Sequence, residues 1–168
     1  MTAKELSLKN SKARNAGVTF EDIISESCEY YKENGIAMIE KTPEPMRTLR
    51  PLGGGRYEAV YTKQAQPDYK GTLRGGRAIV FEAKHTDTDR IKRSVISDEQ
   101  EKCFNAHEQM GAECFVLVSF FFVKFYRIPW YIFRDMKDYF GRKHIKYSDF
   151  GMPGGHECNF TGSRLEFL

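Results

Sequence analysis

The stretch PDYKGTLRGGRAIVFEAKHT, residues 67 to 86, sets Asp68 directly after a proline, a glycine pair at 75 and 76, then Glu82 and Lys84 two apart inside an apolar run. Side chains alternate faces along a strand, so Ile79, Phe81 and Ala83 share one side and Val80, Glu82 and Lys84 the other. A carboxylate and an ammonium are costly to bury unless they are paired. An edge strand with one wetted face would carry both as ordinary solvated residues. The other reading is a reaction site, and it depends on the turn. With a two-residue turn at Gly75-Gly76, Asp68 opposes Ala83 and faces away from Glu82. With a three-residue loop from Arg74 to Gly76 and glycine in the left-handed position, Asp68 stands opposite Glu82. Two carboxylates a few ångströms apart repel, and a divalent cation relieves them. All-oxygen ligation suits Mg²⁺ or Mn²⁺. Lys84 on the same face then offers positive charge to a phosphate. Such a set fits phosphodiester hydrolysis better than acyl transfer, for which no Ser or Cys nucleophile with a partner histidine stands out.

The elements that must hold these residues follow from periodicity. Phe20, Ile23, Ile24, Cys28 and Tyr31 recur at helical spacing, which predicts a helix from Val18 to Asn34, capped by Thr19 and stopped at Asn34-Gly35. IAMIEKT reads as a short strand ended by Pro43 and Pro45. The segment 46–66 reads as a protruding excursion with three glycines and one strand, RYEAVYTK, on its C-terminal side. DYKGTL and RAIVFEAK form the hairpin, and HTDTDRIKRSVI reads as a charged loop. A helix runs from Ser97 to Gly111, where Ser97 precedes a first turn of acids that suits the helix dipole. ECFVLVSFF and RIPWYIF read as strands, RDMKDYFGRK as a short helix stopped by Gly141, and the tail from His144 as irregular. The expected architecture is α/β, a mixed central β-sheet flanked by helices.

Composition bounds the rest. The 168 residues suit one domain, with 1–16 as a loose polar arm, and 40% apolar residues suffice for a core. A net charge of +3 permits a polyanionic partner without requiring one. Cys28, Cys103, Cys114 and Cys158 show no paired metal-ligand spacing, and the first three read as reduced residues of a cytosolic protein. The N-terminus lacks the apolar core of a signal peptide, and the longest apolar run is too short for a membrane helix and interrupted by Lys124.

Asp68 after its proline and the Glu82-Ala83-Lys84 triplet together resemble the signature of the PD-(D/E)XK nucleases. The likeness extends through GVTFEDIISESCEYYKENGIAMIEKTPEP, ISDEQEKCFNAHEQMGAECFVLVSF and RKHIKYSDF, whose order and spacing are similar to the RecU family of Holliday junction resolvases over about residues 14 to 150. The resemblance implies a restriction-endonuclease-like core with a short stalk-like excursion. It implies a Mg²⁺-dependent endodeoxyribonuclease, with Mn²⁺ able to substitute, acting on four-way DNA as a homodimer in the cytoplasm of a bacterial or phage-infected cell. By the same resemblance Asp68 and Glu82 match metal-binding acids and Lys84 the transition-state lysine. Gln100 matches a glutamine that completes the metal site, and Glu21 a first-helix glutamate near it. Two departures stand out. Gln66 stands where the family carries a threonine, and the excursion is shorter than the family's stalk.

Basic residues flank these positions: Arg47, Arg50 and Arg56 in the excursion, Lys70, Arg74 and Arg77 on the hairpin, and Arg90, Lys92 and Arg93 beyond it. Singly they read as solvated surface; together they would neutralise phosphates without reading sequence. Tyr57, Tyr61 and Tyr69 read first as strand packing and second as base-stacking platforms. Two alternatives remain open on the sequence: a nuclease of the same superfamily acting on other DNA, and a non-catalytic DNA-binding or recombinase-regulating module.

Overall fold

A computed structural model describes residues 19–61, 66–149 and 155–168. The arm expected over 1–16 and part of the excursion, 62–65, lie outside the described residues. Helix α1, Phe20–Glu33, starts at a capping box in which the Thr19 side chain accepts from Asp22 N–H and the Asp22 carboxylate accepts from Thr19 N–H. Its apolar stripe, Phe20, Ile23, Ile24, Cys28 and Tyr31, is buried. Strand β1, Ala37–Lys41, follows, then β2, Met46–Gly53, and β3, Arg56–Tyr61.

These last two correct the sequence expectation. The excursion is a two-stranded ribbon, and β2 was not expected because MRTLRPLG neither alternates nor avoids proline. The ribbon absorbs this with register shifts around Leu49 and Leu52. As a result Arg47, Arg50 and Arg56 fall on one side with Glu58 and Val60, while Met46, Thr48, Pro51, Tyr57 and Ala59 fall on the other. The whole of β2 is exposed.

Strands β4, Tyr69–Leu73, and β5, Ala78–Thr86, pair with Tyr69 opposite Phe81 and Thr72 opposite Ala78. The loop is therefore the three-residue one, closed by Leu73 N–H to Arg77 C=O at 2.8 Å, with Gly75 and Gly76 both at positive φ. The charged segment after β5 contains a further strand, β6, Arg90–Lys92, and one turn of 3₁₀ helix. Helix α2, Asp98–Gln109, carries the expected Ser97 cap. Strands β7, Glu113–Phe120, and β8, Lys124–Pro129, come next. RIPWYIF is not a strand throughout. Pro129 ends β8, and Trp130–Arg134 forms helix α3, followed by α4, Met136–Phe140, which Gly141 stops in the left-handed conformation. The tail also departs from expectation: β9, His144–Lys146, pairs with β6, and three two-residue strands follow, β10 at His156–Glu157, β11 at Asn159–Phe160 and β12 at Leu165–Glu166.

The main sheet runs β1-β4-β5-β7-β8-β10, with β5 and β7 parallel and its other pairs antiparallel. Two separate cores cover its faces. On one side α1 packs over Ile39, Tyr69, Ile79, Phe81, Phe115 and Leu117. On the other, Phe104 of α2, Trp130 and Phe133 cover Val80, Val116 and Val118. β5 is thus an interior strand covered on both faces, and the edge-strand account of Glu82 and Lys84 is excluded. Gly71 is required where β4 meets β1: a Cβ there would lie 2.1 Å from Met38 O. The tight turn from β7 to β8 holds two phenylalanines at positive φ, Phe121 at 56° and Phe122 at 54°. Tyr31 of α1 binds the chain's last residues, its hydroxyl donating to Leu165 C=O and accepting from Phe167 N–H and Leu168 N–H.

Candidate active site

The β4–β5 register places Asp68 across from Glu82, just past the last ladder pair. Here side chains take over the ladder's hydrogen bonds. Asp68 N–H donates to Glu82 Oε2 at 2.9 Å, and Ala83 N–H donates to Asp68 Oδ2 at 3.1 Å. Each acid is therefore fixed by the other strand's backbone, and each has one carboxylate oxygen left over. Glu82 Oε1 accepts from Lys84 Nζ. Asp68 Oδ1 takes no hydrogen bond among the described residues. The Glu82 side chain is 1% exposed and Lys84 28%, so the lysine bridges a buried carboxylate to solvent.

This packing leaves an electrostatic mark. Burial first, and then the charge of Asp68, push the Glu82 carboxyl above its ordinary value, against the opposing hydrogen bond and charge of Lys84 and the Asp68 N–H. A Glu82 carboxylate whose ionisation is resisted by burial and by the neighbouring Asp68, with one oxygen on each acid left free of the backbone and an ammonium alongside, forms a donor set that suits a hard divalent cation. The donors fit; among the described residues no cluster of three or more His, Cys, Asp or Glu surrounds them.

The other expected site residues sit as follows. Gln100 is buried at the third position of α2, and its side-chain oxygen accepts from Ser97 N–H at 3.0 Å, completing a capping box. Helix capping thus accounts for this glutamine locally. Glu21, on the exposed side of α1, accepts from Lys41 Nζ at 2.6 Å. That bond holds Lys41 in its charged form, with the charges of Glu21 and Asp68 adding to the effect. Burial, then the charges of Glu21, Cys28, Asp68 and Asp22, raise the Tyr69 hydroxyl. Lys41 is opposite Tyr69 in the register, on the α1 face, whereas Glu82 and Lys84 project to the other face. Glu21 therefore reaches this end of the sheet through Lys41, a residue that no motif marks in the sequence. Gln66 accepts from Lys70 Nζ at 2.7 Å.

Beside Lys84 opens a cleft of about 420 Å³ bordered by Thr86, Arg90, Ile91 and Lys92. It lies at the carboxyl end of β5, where open α/β sheets gather their ligands. The basic residues divide into three groups. Arg74 donates to the carbonyls of Gly35 and Asn34, which ties the hairpin to the end of α1. Arg77 donates to Gly111 C=O and pairs with Glu113. Arg93 pairs with Glu101 and lies 5.0 Å over the Trp130 ring. These three are held by internal partners. Arg90 pairs with Asp89 and Arg50 with Glu58 in exposed, weaker pairs. Arg47, Arg56 and Lys92 have no ion-pair partner among the described residues. Tyr69 is buried and stacked on Phe81 at 4.7 Å, whereas Tyr57 is 60% exposed.

Comparison with known proteins adds relatives to this geometry. The family model described as Recombination protein U matches residues 15–168. A Holliday junction resolvase RecU of Bacillus pumilus is 34% identical, over 99% of this chain and 84% of its own. That of Bacillus subtilis is 33% identical over 84% of this chain and 74% of its own, and that of Levilactobacillus brevis 28% over 89% and 79%. Among solved structures, Hjc of Archaeoglobus fulgidus, a Holliday junction resolvase, aligns with a TM-score of 0.44 at 15% identity, over 79% of this chain and 91% of that one.

Proposed function

This chain belongs to the RecU family, and on that premise we propose that it is a structure-specific endodeoxyribonuclease that resolves four-way DNA junctions in recombination and repair. The observation that carries the reading is the reciprocal lock of Asp68 and Glu82, each held by the opposite strand's backbone N–H with Lys84 alongside.

Asp68 and Glu82 would hold a divalent cation, with Mg²⁺ the natural occupant and Mn²⁺ a substitute. When bound, the cation supplies Lewis-acid polarisation of the phosphate and an activated water. The chain's own residues do the remainder. Lys84, which pairs with Glu82 and borders the cleft, stabilises charge growing on the scissile phosphate. Glu82 is buried with its carboxyl pushed above its ordinary value by burial and by Asp68, and Lys84 opposes that shift. Gln100 would complete that donor set with its amide oxygen while keeping the Ser97 cap, since a carbonyl oxygen accepts two hydrogen bonds or ligands. Glu21 acts at a distance by anchoring Lys41 near Asp68. Water attacks in line and the products are a 5′-phosphate and a 3′-hydroxyl.

The DNA backbone runs past Arg90 and Lys92 at the cleft and along the arginine side of the β2–β3 ribbon through Arg47, Arg50 and Arg56. Lys70 lies beside the acids, and Arg74, Arg77 and Arg93 contribute field rather than free donors. Two copies related by a two-fold axis place two such sites on symmetric strands, the arrangement a resolvase requires. The test is cleavage of synthetic four-way, flap and linear duplex DNA by purified protein with Mg²⁺. Preferential, paired nicking of the four-way substrate is expected. A junction that is bound and left intact would overturn the catalytic reading, and equal cutting of linear duplex would overturn the junction reading.

A further inference from the structure

Thr42 lies one residue beyond β1 and belongs to no motif. Its N–H donates to Asp68 C=O at 2.7 Å, which extends the β1–β4 ladder by one step past the pair Lys41 and Tyr69. Thr42 is thus the register partner of Asp68, as Asp68 is of Glu82. Antiparallel partners project to the same side of a sheet with their Cβ atoms about 4.5–5.5 Å apart. Three oxygen-bearing side chains, Thr42, Asp68 and Glu82, therefore form a row across β1, β4 and β5. The hydroxyl oxygen of Thr42 is buried and finds no hydrogen-bond partner among the described residues. Buried hydroxyls almost always find one, and an orphan calls for an ion, a water or a function.

We propose that Thr42 is a positioning residue of the cation site, an inference that rests on the metal reading above: its hydroxyl receives a hydrogen bond from the hydration shell of the cation held by Asp68 and Glu82. A magnesium-like ion keeps several of its waters, and each water needs acceptors. Lys84 can only donate. A third carboxylate would add a like charge beside Asp68 and Glu82. A neutral hydroxyl in the same cross-strand row as Asp68 supplies an acceptor without that cost. A cross-strand filler would need no oxygen, and valine has nearly the same shape.

The test uses the full chain and Mn²⁺ as the probe, followed by electron paramagnetic resonance, with thermal melting in EDTA beside it. The variants are Thr42→Val, Thr42→Ser and Asp68→Ala. Thr42→Val should weaken Mn²⁺ binding about tenfold, in the range of outer-shell substitutions. Thr42→Ser should restore it, and Asp68→Ala should abolish it. Because the hydroxyl has no partner among the described residues, Thr42→Val should melt in EDTA at or above the parent's temperature. Thr42→Val binding Mn²⁺ as tightly as the parent overturns the inference alone. So does a lowered melting point in EDTA together with failure of serine to restore binding, which marks a structural threonine. A parent that binds no Mn²⁺ removes the metal reading and this inference with it.

Discussion

The β4–β5 junction and the β2–β3 ribbon are both antiparallel pairs rich in charged residues, yet they are held by different physics. At the junction the backbone groups that flank Asp68 and Glu82 are engaged, both sheet faces are covered, and the two carboxylates cannot move without breaking those bonds. The ribbon is exposed, bent by two register shifts and stabilised chiefly by its own ladder. A two-stranded ribbon alone is marginal in water. One region is built to fix positions to a fraction of an ångström, and the other to present a surface. Substitutions should therefore separate into those that remove chemistry or folding and those that only retune the substrate.

The largest effect is expected at the junction. Asp68→Asn should cut four-way junction cleavage by roughly 10²–10³-fold, the range for loss of one group that stabilises transition-state charge. It should also raise the melting temperature in EDTA at neutral pH, because it removes the like charge facing Glu82. A variant that loses cleavage and stability together would break the claim that the two acids oppose each other. Next comes Gly71→Ala, which drives a Cβ into the Met38 carbonyl and within 2.7 Å of Ile39 Cα. Backbone cannot yield as a side-chain tip can, so a loss of about 1–3 kcal/mol is expected, read by denaturant titration.

On the ribbon, the triple change of Arg47, Arg50 and Arg56 to alanine should leave the melting temperature nearly unchanged. It should weaken junction binding and reduce the log–log salt slope by up to about 2.7, at about 0.9 for each phosphate that an arginine no longer neutralises. An unchanged slope would take the arginine side of the ribbon out of the DNA path. The smallest effect concerns pH. Glu82 has a raised pKa in the folded chain, so the folded state retains a proton that the unfolded state releases. Its stability contribution is complete below the ordinary value of 4.5 and is lost as pH rises through the raised value. Metal-free protein should therefore lose some stability over that window, Glu82→Gln should flatten the decline, and Mg²⁺ should offset it at neutral pH. Melting curves in EDTA and in Mg²⁺ across that range would measure it.

Much of the junction was legible because local chemistry decides it. Alternation separates Glu82 and Lys84 from Phe81, and the glycine pair restricts the turn to two registers, only one of which joins the acids. The capped starts of α1 and α2 are equally local. What the sequence hid depends on distant partners. β6 and β9 are three-residue strands about fifty positions apart that exist only because they pair. Trp130–Arg134 has strand-like composition but becomes a helix beyond Pro129, where Trp130 packs on Phe104 at 4.6 Å and donates to Asn105. Thr42 is invisible in sequence because nothing marks it until the β1–β4 register is known. The arginines look alike in the sequence, and only their partners separate Arg74, Arg77 and Arg93 from Arg47 and Arg56.

The hydroxyl of Tyr31 carries a practical consequence. It gathers the final strand onto the same helix that bears Glu21, and Ser27 adds a fourth link by accepting from Leu165 N–H at 2.7 Å. Cleavage of the chain before Leu165 would strip a buried phenol of its hydrogen-bond partners and loosen the helix from its far end. Limited digestion therefore becomes a reporter on the scaffold behind the acids.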